Sequence, residues 1–498
     1  MADLVDKHCL VWLSGARYAG FDISRGIRQG CPLSPLLFAM ATDLLLRRLH
    51  RHFPLALSRA WADDIAMVLP SASAQLRLLQ DFFLDFGRVA GLHLNISKTV
   101  LVPLFNFSEE VIRNTVSLNA PDWGGVSISD SAKYLGFFVG PGKGTISWKG
   151  PLQKYRERAK QWGKLGLGML LTMQAYRVYI SSVLQFVAQL EPLPPEFAEA
   201  ERHAIQSLCP GPTAWTVPTL LKDAAYLHLP VALADMAAIS SAAKVRVAHL
   251  ENIQHGGLKV HSRYSVLLQS FGTECSLGHV ARCTDWGQHS FLAHLVEADI
   301  QFGHKLQAAH PYNILIHKRE DFQRNITPLF RSIPMGASMI HIRRRMDRWS
   351  DMLTLPGHRP ERARRVLGVL RDRATPRIQA AYLRSICNGW CTRHRFQMAG
   401  GCLFGCGYGP DKLEHYARCS VVDGWFTSGP NSVLNSCRPD AQALDRFFCM
   451  LHLHEEVIVA QAARLYALHR LHCGIRHRQF VPREYFGAFK RFVSEGLR

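Results

Sequence analysis

Two aspartates stand side by side at Asp63-Asp64, between Trp61-Ala62 and the apolar run Ile65-Ala66-Met67-Val68. This pair constrains the fold of the chain more tightly than any other feature. Tight turns ordinarily carry Gly or Asn beside Asp, because the backbone there needs left-handed φ values. Two anions set between apolar strands repel each other and lose hydration, a cost that a bound cation removes. The pattern predicts two short strands, at about 56–62 and 65–70, meeting at the aspartates, with the apolar flanks buried. Mg²⁺ suits the pair, since it takes hard oxygen ligands and keeps waters for a phosphate substrate. In nucleotidyl transfer two such ions clamp the attacking and leaving oxygens.

Helices are expected on both sides of this hairpin. Ser34 followed by Pro35 reads as an N-cap and a first-turn proline. The spacing of Leu36, Leu37, Met40, Leu44 and Leu45 then predicts a helix over about 35–52. A second helix, at about 73–90, would turn Leu76, Leu79, Phe83, Phe86 and Ala90 inward and stop at Gly91. Up to about residue 150 the chain reads as mixed strand and helix. Beyond that it is mostly helical, broken at Pro192-Leu193-Pro194-Pro195 and Pro210-Gly211-Pro212. No repeat or low-complexity segment is present. The most apolar stretch, Leu165 to Leu190, contains Gln174, Arg177 and Gln185, which argues against a membrane span.

The charge balance speaks to partners. Lys and Arg number 59 against 39 Asp and Glu, a net +20 in 498 residues. Nucleic acid is the first candidate polyanion and an anionic membrane surface the second. Arginines concentrate between His341 and Arg377, where Arg343, Arg344, Arg364 and Arg365 are expected to lie along phosphates. A solvated face balanced by Asp347, Asp351, Glu361 and Asp372 is the other reading of this segment.

Thirteen cysteines make an odd count, and residues 1–20 place Asp3, Asp6, Lys7 and His8 before a short apolar run, unlike a secretory signal. A reducing compartment is expected, where clustered cysteines hold metal. Cys402-x₃-Cys406-x₈-His415-x₃-Cys419 supplies four ligands of the kind zinc prefers in closed structural sites. Gly405, Gly407 and Gly409 permit a knuckle-like turn between them. A competing set uses Cys387 and Cys391 with Cys402 and Cys406, or with His394. Cys209, Cys275, Cys283, Cys437, Cys449 and Cys473 read as core residues.

Further segments surround the aspartates. Ser24-Arg25-Gly26-Ile27-Arg28-Gln29-Gly30-Cys31-Pro32-Leu33-Ser34-Pro35-Leu36-Leu37-Phe38 lies upstream, and Gly91-Leu92-His93-Leu94-Asn95-Ile96-Ser97-Lys98-Thr99 and Lys133-Tyr134-Leu135-Gly136 lie downstream. With the aspartates, in this order and at these distances, they resemble motifs B, C, D and E of reverse transcriptases from non-long-terminal-repeat (LINE-type) retrotransposons. The likeness is close over about residues 20–140. It is looser over Tyr176-Arg177-Val178-Tyr179-Ile180 and Ser182-Val183-Leu184.

The resemblance implies roles residue by residue. Asp63 and Asp64 match the catalytic Mg²⁺ ligands, with Trp61 where the family usually has Tyr or Phe. Arg28, Gln29 and Gly30 match the loop that lies against template and incoming nucleotide. Lys98 matches the lysine near the leaving pyrophosphate, and Tyr134, Leu135 and Gly136 match the primer grip. A Cys-Cys-His-Cys element near the C-terminus also agrees with the family. The motif A aspartate has no match among the residues before Gly26: Asp3 and Asp6 lie too close, and Asp22 sits in the approach to motif B. A poorly active or inactive polymerase is therefore expected.

The expected fold is α+β. A truncated right-hand polymerase palm occupies 1–145 and a helical thumb 146–255. A helical basic connector (256–385), a zinc-knuckle-like segment (386–425) and a helical tail (426–498) follow. The implied function is RNA-directed DNA synthesis with an RNA template and a DNA primer or target, in the nucleus by analogy, with Mg²⁺ at the aspartates and structural Zn²⁺ at the cysteines. Two other readings stay open: a non-catalytic RNA- or DNA-binding remnant, and a group II intron-type maturase.

Overall fold

The computed structural model describes residues 8–22, 32–212, 215–254, 323–324, 326–349, 351–428, 442–451 and 454–497. The chain divides into two compact units, Met1–Ser147 and Trp148–Arg498.

The first unit is mixed helix and strand. Strands β1 (His8–Leu13) and β2 (Ala16–Asp22) pair antiparallel through Ser14-Gly15, both at positive φ as a two-residue hairpin turn requires. Helix α1 (Ser34–His52) follows, then β3 (Leu57–Trp61) and β4 (Asp64–Val68), then α2 (Ala72–Ala90). Leu33 caps α1, so Ser34 is its first helical residue rather than the N-cap that its chemistry suggests. Gly91 closes α2 at φ +70°, its N–H bonded to the Gly87 carbonyl. A parallel pair, β5 (Val100–Leu101) with β6 (Ser127–Ile128), is bridged by helix α3 (Glu109–Asn119), the crossover that parallel pairing demands. The last pair is β7 (Ala132–Tyr134) with β8 (Phe137–Val139).

The core of this unit joins Leu45, Leu49 and Phe53 of α1, Leu76, Leu79 and Phe82 of α2, and Val116, Ala120, Trp123 and Val126. Ile65 and Met67 lay one face of the β3–β4 hairpin onto it. Two sequence expectations are corrected. Ala90 is exposed, because α2 turns Phe82 rather than Ala90 into the core. The hairpin flanks are not fully buried either: Trp61 is 70% exposed and Val68 exposed, since only alternate residues of a strand can face one layer.

The described residues of the second unit are mostly helical from α4 (Ile146–Gly163) onward. Helices α5 (Met169–Ala175), α6 (Ser182–Ala188), α7 (Phe197–Leu208), α8 (Pro218–Lys222) and α9 (Met236–Gln254) follow. Then come α10 (Ala337–Met346), α11 (Arg359–Arg373), α12 (Pro376–Ile386), α13 (Leu413–Tyr416) and α14 (Ser420–Thr427). Helices α15 (Ala443–Phe447), α16 (Glu455–Arg476) and α17 (Tyr485–Leu497) complete it. Helix α16 is buried on most of its surface and packs against α11, α12 and α17, as a helix apolar on several sides must. Trp349, Trp390, Tyr382, Tyr416 and Phe448 lie fully buried in this unit. Among the described residues, no helix is long and apolar enough to cross a membrane.

Leu49 is wholly buried at the centre of the first core. Leu49→Ala is expected to cost about 2–5 kcal/mol through lost burial and the cavity left behind. Urea denaturation followed by circular dichroism checks this; an unchanged transition would contradict that placement.

Candidate functional site

Two groups of residues hold chemistry, one in each unit. In the first, Trp61 pairs with Asp64, so Ala62 and Asp63 form the whole turn of the β3–β4 hairpin. Ala62 sits at φ +51°, where an L side chain costs roughly 1–2 kcal/mol. With Ile65 and Met67 anchored on the core, Asp63 and Asp64 project into solvent. Among the described residues, neither carboxylate has a hydrogen bond or an ion pair, and no third carboxylate joins them in a metal-competent group.

The β7–β8 hairpin lies beside this one. Its two-residue turn is Leu135-Gly136, both at positive φ (+47° and +89°), an uncommon conformation for a leucine. The Tyr134 phenol donates to the Arg59 carbonyl at 3.5 Å. Burial raises its pKa first, and the Asp64 carboxylate raises it further. The structure thus brings Tyr134 next to Asp64, although they stand 70 positions apart in the sequence. It does not join Lys98 to them. Lys98 ends a short 3₁₀ turn, Ile96–Lys98, capped by Asn95, whose Oδ1 accepts from the Lys98 N–H at 3.2 Å. Its side chain is exposed and unpaired among the described residues. Arg28, Gln29 and Gly30 lie outside the described residues, as do Asp3 and Asp6.

In the second unit, the ligand atoms of Cys402, Cys406, His415 and Cys419 all lie within 4.8 Å of one another. The Cys402 and Cys419 sulfurs are 3.8 Å apart, and Cys406 Sγ is 3.1 Å from His415 Nε2. Zn–S bonds of about 2.3 Å at tetrahedral angles put two sulfurs about 3.8 Å apart and a sulfur and nitrogen about 3.6 Å apart, so the four residues fit zinc with a small outward move of His415. Gly405 and Gly407 take φ of +86° and +79° in the turn between Cys402 and Gly409. The chain then returns, with Cys402 N–H bonded to the Gly409 carbonyl at 2.7 Å. A Cβ on Gly409 would overlap the His415 ring. The Cys402 thiol is pulled down to about 5, chiefly by a hydrogen bond from Cys419 and, despite burial, with help from the backbone N–H groups of Cys406 and Phe404. Cys419 is pushed up in exchange. A lowered Cys402 thiol suits a zinc site, which takes thiolate ligands.

The competing set is not assembled. Cys387 is fully buried, its thiol pushed up to about 12 by that burial, and Cys391 and His394 stand outside the cluster. Cys209 and Cys449 are core residues. Cys473 is only half-buried, 3.6 Å from His469 Nε2. Cys275, Cys283 and Cys437 lie outside the described residues.

The arginine segment divides by role. Arg343 and Arg344 are exposed on α10, with Arg343 3.8 Å from Asp347. Arg365 is exposed on α11. Arg364 instead binds Glu361 at 3.0 Å and His228 at 3.3 Å, over the Tyr226 ring. Arg345, which the sequence reading did not single out, is buried and donates to the Cys387 carbonyl at 2.8 Å. Burial, then Arg395 and Arg348, push it down to about 10. Arg395 comes from the Cys/His segment, and no local pattern announces that it reaches α10. His341 of the same helix has its pKa lowered by burial and by Arg345, Arg344 and Arg348, against a bond to the Trp215 carbonyl.

Residues 4–139 match the family model described as reverse transcriptase (RNA-dependent DNA polymerase). The chain carries a reverse transcriptase region. Two curated relatives give its kind. The Retrovirus-related Pol polyprotein from type-2 retrotransposable element R2DM of Drosophila melanogaster is 36% identical over 85 residues, 16% of this chain and 8% of that protein. The Retrotransposable element SLACS 132 kDa protein of Trypanosoma brucei gambiense is 44% identical over 64 residues, 13% of this chain and 5% of that protein. Over these residues the chain is similar to reverse transcriptases of non-long-terminal-repeat retrotransposons, and the matched stretches span less than a tenth of either relative.

Two outcomes are expected from these geometries. Purified protein should hold about one zinc per chain by mass spectrometry, and Cys402→Ser/Cys406→Ser should lose it. Gly409→Ala should lower occupancy by displacing His415. Full zinc in the double variant would return the site to another ligand set. Separately, His341 stays neutral in the fold below its unfolded pKa, so its contribution to stability falls as pH drops through about 6.5. His341→Gln should show a smaller loss of thermal stability between pH 7.5 and 5.5 than the unmodified chain; an identical loss would count against this.

Proposed function

We propose that the chain contributes to RNA-directed DNA synthesis as part of a retrotransposon reverse transcriptase, with Asp63 and Asp64 as ligands of the catalytic Mg²⁺ ions. The observation that carries this reading is the solvent-facing carboxylate pair at the tip of β3–β4, with the Tyr134 hairpin beside it, inside the stretch that matches the family. In this reading Tyr134, Leu135 and Gly136 grip the primer end. Lys98 stands near the leaving pyrophosphate, and Arg28, Gln29 and Gly30 lie along template and nucleotide. Residues 1–145 act as palm, 146–255 as thumb and 256–385 as a basic connector, followed by a zinc knuckle (386–425) and a helical tail (426–498). Arg343, Arg344 and Arg365 hold nucleic-acid phosphates, and Arg364, tied to Glu361 and His228, contributes less. Nuclear action follows from the family reading alone.

The metal centre is half of one. Two-metal transfer needs carboxylates from a second strand to hold both ions, and no described residue supplies them. Primer extension on a homopolymer template with Mg²⁺ or Mn²⁺ should therefore be weak or absent with this chain alone. It should appear on adding a fragment that carries the motif A aspartate, and vanish again with Asp63→Ala. Robust extension by the chain alone, abolished by Asp63→Ala, would overturn the incomplete centre. No extension under either condition would leave a nucleic-acid-binding role in its place.

A further inference from the structure

One surface of the second unit combines exposed aromatic rings with basic side chains. Tyr176–Ile180 form a π-helical turn, closed by the Ser181 N–H on the Tyr176 carbonyl at 2.8 Å. The extra residue in this turn keeps Tyr176 and Ile180 buried and throws Arg177, Val178 and Tyr179 outward. Such turns recur at functional sites. The Tyr179 ring stacks on Trp162 of α4, with centroids 4.9 Å apart and planes within 17°. Tyr179 remains 51% exposed, so the half not covered by Trp162 faces water. Arg158 fixes the platform by donating Nη1 to the Tyr179 carbonyl at 2.6 Å, which leaves its other donors free.

Charge surrounds the rings. Lys154, Arg158 and Trp162 follow one another at four-residue spacing on α4 and share a face. Lys160, Lys164 and Arg177 are exposed nearby in sequence. Between Gln153 and Tyr179 the only acidic residue is Glu157, which accepts from Gln153 at 2.9 Å. None of these cations makes an ion pair with another described residue. An unneutralised basic surface needs an anionic partner, and an exposed flat aromatic needs a flat apolar one; a nucleic-acid strand with an unpaired base offers both.

We propose that Trp162 and Tyr179 form a base-stacking platform for single-stranded nucleic acid, with Lys154, Arg158 and Arg177 holding the flanking phosphates. The site does not depend on the polymerase reading, and its test uses neither metal nor nucleotide. Fluorescence anisotropy would follow the full chain binding a labelled single strand of about 12 nucleotides, the same strand made abasic, and the corresponding duplex. The intact single strand should bind best, and Tyr179→Ala should weaken it roughly tenfold while leaving the salt dependence unchanged. Against the abasic strand the same substitution should change little. Trp162→Phe, which keeps a stacking ring, should stay close to the unmodified chain. Arg158→Gln should reduce the salt dependence. Equal binding of base-bearing and abasic strands by the unmodified chain would overturn the proposal, as would equal binding of duplex, or a Tyr179→Ala variant with unaltered affinity.

Discussion

Two adjacent carboxylates cannot share an apolar site, and the first unit is arranged around that constraint. Ile65 and Met67 fix one face of a two-stranded hairpin to the core, and strand alternation then sends Asp64 to the opposite side. The turn has only two residues, so Asp63 has no freedom to fold back. A positive-φ alanine beside the aspartates stores a small strain in that turn. The result is a rigid pair of anions held in water, where their repulsion is screened and a hard cation can reach both. Tyr134 closes one side, its pKa raised first by burial and then by the nearby Asp64 carboxylate.

The second unit solves the reverse problem, keeping polar groups alive in a dry interior. Asp411, between Cys406 and His415 in the chain, is fully buried. It accepts from the Arg393 N–H at 2.8 Å, from His472 Nε2 at 3.0 Å and from the Tyr416 hydroxyl. Burial alone would raise its pKa, but these hydrogen bonds outweigh it and hold the carboxyl below the ordinary range. His472 belongs to α16, so one carboxylate ties the Cys/His segment to the central helix. Arg359 works similarly, bonding the carbonyls of Met346, Met352 and Thr354 within one loop.

Much of the local structure was legible in the residues. The helix over Ser34–His52 follows from its leucine spacing, and Gly91 marks the end of α2 because only a residue tolerant of positive φ closes a helix that way. The strands at the aspartates appear within one or two residues of their expected bounds. Cys402, Cys406, His415 and Cys419 come together as their spacing implies, since all four fall within one short loop-and-helix segment. Other features were not legible. The burial of the hairpin flanks was overestimated at Trp61, because hydrophobicity does not say which face of a strand meets the core. Arg364 is expected from the sequence to lie along phosphates, yet it is bound to a histidine far away in sequence, and the neighbouring Arg345 is buried against a backbone carbonyl.

The sequence by itself determined the chemistry: two carboxylates at a turn, four zinc-type ligands in one segment, and a strong positive charge. These depend on residue type and short spacing, which are local quantities. Tertiary structure alone decided which groups meet. It put Tyr134 beside Asp64, set Asp411 under His472, and laid Tyr179 on Trp162. Such contacts join residues 17 to 70 positions apart, and they arise because burying apolar faces on a common core leaves few ways to arrange the elements that carry them.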